Sequence, residues 1–180
     1  MTDLTVLVLL GSLRAASINR QLAELATESA PDGVRLRVYE GLGDLPVYNE
    51  DLDTDDAPAP GAALRAAAAA ADAALVVTPE YNGSIPGVLK NAIDWLSRPY
   101  GAGALTDKPL AVIGSALGRY GGAWAHDETR KSFGIAGARV IDSITVSLPA
   151  AGLGGKHPRD SAEMAAAVRD AVGKLAAEAG

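Results

Sequence analysis

Short aliphatic runs separated by stretches of helical spacing restrict this chain more than any other feature. The first run, Leu4–Leu10 (LTVLVLL), ends at Gly11-Ser12. A run this short, without polar alternation, reads as a strand buried on both faces. Similar runs return at Ala73–Thr78 (AALVVT, stopped by Pro79), at Pro109–Gly114 (PLAVIG) and at Arg139–Val146. Val34–Tyr39 alternates Val and Leu with Arg, as a strand nearer an edge does. Between the runs, Ser17–Ser29 places Ile18, Leu22, Leu25 and Ala26 on one side of a helix, with Ser17 as its N-cap. Leu64–Ala71 is alanine-rich and reads as helix, as do Val88–Ser97, Ala123–Gly134 and Ala162–Ala179. Pro86 stands near the favourable first turn of the third of these helices. Gly41–Pro60, rich in Pro, Gly and Asp, reads as a long loop.

Strand followed by helix, five times over, implies a parallel sheet covered on both faces. Five strands with right-handed crossovers fit a doubly wound α/β fold, the flavodoxin-like order 2-1-3-4-5. There is no internal repeat and no second domain, so residues 1–180 are expected to form a single domain.

The totals narrow the chemistry. Sixteen basic residues face 22 acidic ones, a formal net charge of -6 without a Lys/Arg cluster, which disfavours nucleic acid or an anionic membrane as partner. Cysteine is absent, which excludes disulfides, a cysteine nucleophile and thiolate-held metal. Any redox chemistry must therefore ride on a bound organic cofactor. The two histidines, His126 and His157, sit in no metal-binding spacing. Asp51, Asp53 and Asp55 imitate the start of a calcium loop, but Asp56 and Ala62 stand where Gly and Glu are required. The N-terminus lacks a signal-peptide pattern and no apolar run reaches membrane-spanning length, so a cytoplasmic location is expected.

In the order 2-1-3-4-5, ligands bind at the carboxyl ends of the strands, between the first and third. Three loops should meet there. Gly11 to Arg20 joins a buried strand to a helix N-terminus, where free N–H groups favour an anion. Ser12, Ser17 and Asn19 can add hydrogen bonds and Arg14 a charge-assisted one; neither GxxxxGK[ST] nor GxGxxG is present. Read alone, this is also an ordinary strand-to-helix turn with a serine cap. Pro79 to Gly87 exposes backbone groups that suit the polar edge of a flat heterocycle. Its Asn82-Gly83 pair suits a hairpin turn elsewhere, but the flanking prolines and the following helix argue against one here. Ser115 to Gly122 contains three glycines, which let a backbone pass close to a ligand. Trp95, at helical spacing with Leu96 and Ile93, reads as core or an oligomer contact.

Taken together, Gly11-Ser12-Leu13-Arg14 with Ser17 and Asn19, then Pro79-Glu80-Tyr81-Asn82-Gly83-Ser84-Ile85-Pro86-Gly87 leading into Leu89-Lys90-Asn91-Ala92-Ile93-Asp94-Trp95, resemble the NADPH-dependent FMN reductase family. That family includes bacterial quinone, azo-dye and chromate reductases. The resemblance spans nearly the whole chain and weakens after Leu148. It implies FMN as cofactor, NADPH or NADH as donor and a small oxidised acceptor such as a quinone or azo compound. It also implies a homodimer or homotetramer. It assigns the FMN phosphate to Ser12, Leu13, Arg14, Ser17, Ile18 and Asn19, and the ring edge to Pro79, Glu80, Tyr81, Asn82 and Gly83. From the third loop it brings Ser115, Gly121 and Gly122. Leu117-Gly118-Arg119-Tyr120 matches no fixed family pattern. The cofactor would carry the chemistry, with no catalytic side chain, by a ping-pong route. A non-enzymatic FMN electron carrier is the competing class; its phosphate loop is usually Thr-rich without Arg, so Arg14 favours the reductase.

Overall fold

The computed structural model describes residues 4–180. In chain order the elements are β1 Leu4–Leu10, α1 Ile18–Glu28, β2 Val34–Tyr39, α2 Ala59–Ala69, β3 Ala73–Val77, α3 Gly87–Leu96, β4 Pro109–Ala116, α4 Ala123–Ile135, β5 Arg139–Pro149 and α5 Ala162–Ala179. The strands form one parallel sheet in the order β2-β1-β3-β4-β5, as the sequence pattern requires.

Alternate residues of the central strands feed two apolar layers. Val6, Val8, Leu75 and Val77 pack with Leu22, Leu25 and Ala26 of α1 and with Val168, Val172 and Leu175 of α5. Leu7, Leu9, Ala74 and Val76 pack with Leu64 of α2, with Leu89, Ile93 and Trp95 of α3, and with Phe133 of α4. Fully burying a side chain of this size contributes about 1.5–3 kcal/mol. Leu22 has no exposed surface; cutting it to Ala would cost roughly 2–5 kcal/mol.

Several boundaries differ from the sequence reading. Helix α2 starts at Ala59 rather than Leu64, because Pro58 is its N-cap and Pro60 lies in its first turn. Proline has no N–H to lose there, so the loop residues Ala59 and Pro60 belong to helix. Residues 40–57 contain two short 3₁₀ helices, Glu40–Asp44 and Glu50–Leu52. Strands β4 and β5 run on to Ala116 and Pro149, paired past a register shift between Leu110 and Val112.

Trp95 is core, and it pins this long connection. Its indole N–H donates to the Pro46 carbonyl at 2.9 Å, and the Tyr48 ring meets it edge-on. Above it Arg65 forms a two-point ion pair with Asp53 at 2.6 and 2.7 Å. The Arg65 hydrogen bond holds the Asp53 carboxyl below its ordinary pKa. Asp53 thus has a structural role, and no group of three or more His, Asp or Glu side chains gathers as a metal site among the described residues. Helices α1 and α3 leave neighbouring strands toward opposite faces, which opens a crevice at the strands' carboxyl ends.

Candidate functional site

The first loop offers donors and little else. Among the described residues, the main-chain N–H groups of Ser12 to Ala16 reach no backbone carbonyl. Ser17 caps α1 by accepting from the Asn19 N–H at 3.2 Å. The Ser12 hydroxyl lies in a buried residue that lines a cleft, and among the described residues no group bonds it. Arg14 is exposed and has no carboxylate partner among the described residues, whereas Arg20 is held by Glu40 at 2.8 and 2.9 Å. Leu13 points away from the cleft, against Gly43. Asn19 is 1% exposed, and its amide is already engaged: Nδ2 donates to the Ser115 carbonyl at 3.0 Å and Oδ1 accepts from the Ser115 N–H at 2.9 Å. It ties the first loop to the end of β4.

The second loop corrects one expectation. Asn82 and Gly83 do form a tight hairpin turn, with φ of 53° and 72°, and Tyr81 and Ser84 exchange hydrogen bonds of 3.0 and 3.1 Å across it. Pro79 and Pro86 both lie outside the four turn residues, so neither opposes the turn. Two consecutive left-handed residues are the ordinary chemistry of Asn-Gly. The turn lifts Asn82 and Gly83 out of the cleft and sets Gly83 against the exposed Trp124 ring. Pro79, Glu80 and Tyr81 line the cleft. The Glu80 carboxylate accepts from the Ala125 N–H at 3.2 Å, capping α4 from outside the helix.

In the third loop the glycines serve β5 more than the cleft. A Cβ on Gly121 would come within 2.6 Å of the Leu148 backbone, so its φ of 61° and its lack of a side chain let the chain pass β5. Gly122 backs onto His126. Ser115 is fully buried and donates its hydroxyl to the Leu148 carbonyl at 2.6 Å.

The sequence places His126 in no metal-binding spacing and gives it no other role. It is fully buried, with Nε2 2.8 Å from the Thr78 carbonyl and Nδ1 2.7 Å from the Ser147 hydroxyl. Burial pushes its pKa below the ordinary value, so the ring is neutral. A carbonyl only accepts, so Nε2 carries the proton and Nδ1 accepts from Ser147. The ring fixes the peptide that enters Pro79.

These loops enclose a cleft of about 750 Å³, within the roughly 300–1,000 Å³ usual for small-molecule sites. Ser12, Arg14, Ser17, Ile18, Asn19, Pro79, Glu80, Tyr81 and Ser115 line it; Leu13, Asn82, Gly83, Gly121 and Gly122 do not. Leu117 and Gly118 do, and so do Ala150, Leu153, Gly155 and Lys156 from the segment after β5. The sequence reading missed that last group because it ended the fifth strand at Val146. The adjacent Gly154-Gly155 pair was the one available sign of a tight turn beside the strand ends.

The residues fit FMN. A row of free N–H groups at the start of α1 and an unpaired guanidinium suit a terminal phosphate. Pro79, Tyr81 and Leu117 add apolar and aromatic lining to the same cleft.

The comparisons agree. The sequence model of the NADPH-dependent FMN reductase family matches residues 4–152. A quinone reductase of Pseudomonas putida is 43% identical over 151 residues, 84% of this chain and 78% of the relative. A 2-hydroxy-1,4-benzoquinone reductase of a Burkholderia species is 44% identical over 127 residues, 71% of this chain and 68% of the relative. The solved flavoenzyme NAD(P)H:(acceptor) oxidoreductase of Paracoccus denitrificans superposes with a TM-score of 0.86 at 33% identity, covering 97% of this chain and 96% of its own. Sequence, fold and cleft thus converge, and this chain belongs to the NADPH-dependent FMN reductase family of NAD(P)H-dependent oxidoreductases.

Proposed function

We propose that this protein takes reducing equivalents from NAD(P)H and delivers them, through FMN held in the cleft, to quinones, azo compounds or similar small oxidised acceptors. The observation that carries this reading is the convergence of an anion cradle and a largely apolar cleft at the point between β1 and β3 where the strand order reverses. The names of the relatives support quinones among the acceptors.

FMN, when bound, accepts a hydride and passes the electrons on. The chain supplies orientation. The Ser12–Ala16 donors, the Ser12 and Ser17 hydroxyls and Arg14 would hold the phosphate. Pro79, Glu80, Tyr81 and Ser115 border the ring, and Gly83, Gly121 and Gly122 hold the loops in place from behind. Glu80 is the one carboxylate lining the cleft, and it is bonded to the Ala125 N–H. Both nitrogens of His126 are engaged behind the cleft. With Glu80 and His126 so engaged, we assign the chemistry to the cofactor and no obligatory acid or base to the chain. Donor and acceptor then use the same open cleft in turn, a ping-pong order.

We also infer a homodimer or homotetramer, as the family resemblance implies. No helix among the described residues is long and apolar enough to cross a membrane, and we assign the protein to the cytoplasm.

The test is steady-state reduction of a panel of quinones and azo dyes by FMN-loaded protein with NADPH and NADH. Parallel double-reciprocal lines with at least one quinone are expected. Intersecting lines would refute the shared cleft, and inactivity with every acceptor would refute the reductase reading.

A further inference from the structure

We propose that Lys156 is a second cationic contact for the cofactor phosphate, working with Arg14 to make this protein select FMN over riboflavin. The proposal rests on the FMN reading above and adds a residue from beyond the part of the chain that matches the family.

The cleft is unbalanced in charge. Two cations line it, Arg14 and Lys156, and neither has a carboxylate within ion-pair distance among the described residues. Its one carboxylate, Glu80, is turned to the α4 backbone. A phosphate monoester carries about -1.5 to -2 charge at pH 7. The N-terminus of α1 supplies roughly half a positive charge, and Arg14 supplies one. A second cation raises the positive total to about +2.5, above the charge of the phosphate, so Lys156 adds attraction beyond what neutrality alone requires.

Lys156 is placed there by a built turn. Strand β5 runs past the end of its sequence pattern to Pro149, and a short 3₁₀ helix, Ala150–Leu153, follows. Leu153 is 8% exposed and anchors that helix in the layer beneath α1 and α5. Gly154 and Gly155 then adopt φ of 55° and 83°, and the Lys156 N–H closes the turn on the Leu153 carbonyl at 3.0 Å. Side chains other than Asn or Asp rarely adopt such angles in succession. The turn brings Lys156 to the same cleft that Ile18 and Gln21, in the first turn of α1, also line.

Two carboxylates compete for it. Asp160 and Glu163 share with Lys156 the lining of an adjoining depression of about 470 Å³. If Lys156 serves them, its removal loosens the start of α5 and leaves phosphate recognition alone.

The experiment titrates flavin-stripped full-length protein with FMN and with riboflavin, following flavin fluorescence, for the wild type, Lys156→Met and Lys156→Arg. Met keeps most of the apolar stem and removes the charge. Losing one partly exposed charged contact should weaken FMN binding about 3- to 10-fold and leave riboflavin binding unchanged. Arg keeps the charge and should stay within about twofold of wild type. The wild-type preference for FMN should also shrink as salt is raised, and more steeply than in Lys156→Met, because exposed charges are screened. Equal weakening of both flavins, or an unchanged FMN constant with a lowered melting temperature, would assign Lys156 to α5 and overturn the proposal. A wild type that binds riboflavin as tightly as FMN would overturn the phosphate cradle itself, and with it this proposal.

Discussion

Asn19 is the most exacting single test of how this site is assembled. Its side chain is 1% exposed and bonds both main-chain polar groups of one residue, the Ser115 N–H at 2.9 Å and the Ser115 carbonyl at 3.0 Å. Changing Asn19 to Ala removes both partners at once. An unsatisfied buried backbone group costs about 1–3 kcal/mol, but water entering from the cleft side would recover part of that. The expected loss is about 2–4 kcal/mol of unfolding free energy. At roughly 2–4 °C per kcal/mol for a domain of this length, the melting temperature should fall by about 4–16 °C. The first loop is also released from β4, so the N–H donors lose their common aim and FMN binding should weaken. Urea unfolding of the flavin-free protein gives the stability term, and fluorescence titration gives the flavin term. A stability change under about 0.5 kcal/mol, the range of an indifferent surface substitution, would show that the Asn19–Ser115 clamp contributes nothing.

Three further outcomes follow from the same geometry. Arg14→Ala should weaken FMN binding by the roughly 1.5–3 kcal/mol of a charge-assisted hydrogen bond, about 10- to 150-fold, with unfolding unchanged; an unaltered dissociation constant would show that the loop holds something else. Glu80→Gln keeps an oxygen to accept from the Ala125 N–H, and turnover by the FMN-loaded variant should fall less than about tenfold, or roughly 1.4 kcal/mol. A thousandfold loss with FMN still bound would make Glu80 a proton carrier. Burial holds the His126 pKa below its ordinary value. The unfolded chain therefore takes up a proton, as pH falls through about 6.5, that the folded chain refuses. Wild-type stability should fall with pH across that window, and His126→Gln should flatten the slope; an equal slope in both proteins, measured by urea titration, would remove His126 as its source.

Much of this protein was legible in its residues. The aliphatic runs and their helical partners dictate a parallel sheet, because strands buried on both faces need helices above and below. Pairing order followed from five strands and right-handed crossovers. The Ser17 cap, the absence of a cysteine site and the core position of Trp95 are local or compositional facts, and local patterns carry them. The first loop was legible for the same reason: a strand that ends in Gly-Ser before a capped helix leaves its N–H groups free wherever it occurs.

What the residues could not disclose depends on partners distant in sequence. Nothing near Asn19 says that its amide faces Ser115, 96 positions away. Nothing near His126 says that it meets the Thr78 carbonyl, 48 positions away. The Asn-Gly turn was misjudged because its flanking prolines outweighed a local rule that held. The extension of β5 to Pro149 comes from pairing with the end of β4, an interaction that exists only once the sheet forms. That extension carries Lys156 to the cleft. Hydrogen bonds and burial across the sheet thus decided which candidates face the ligand and which hold the loops in place, since residue type fixes what a side chain can bond and tertiary contacts fix what it does bond.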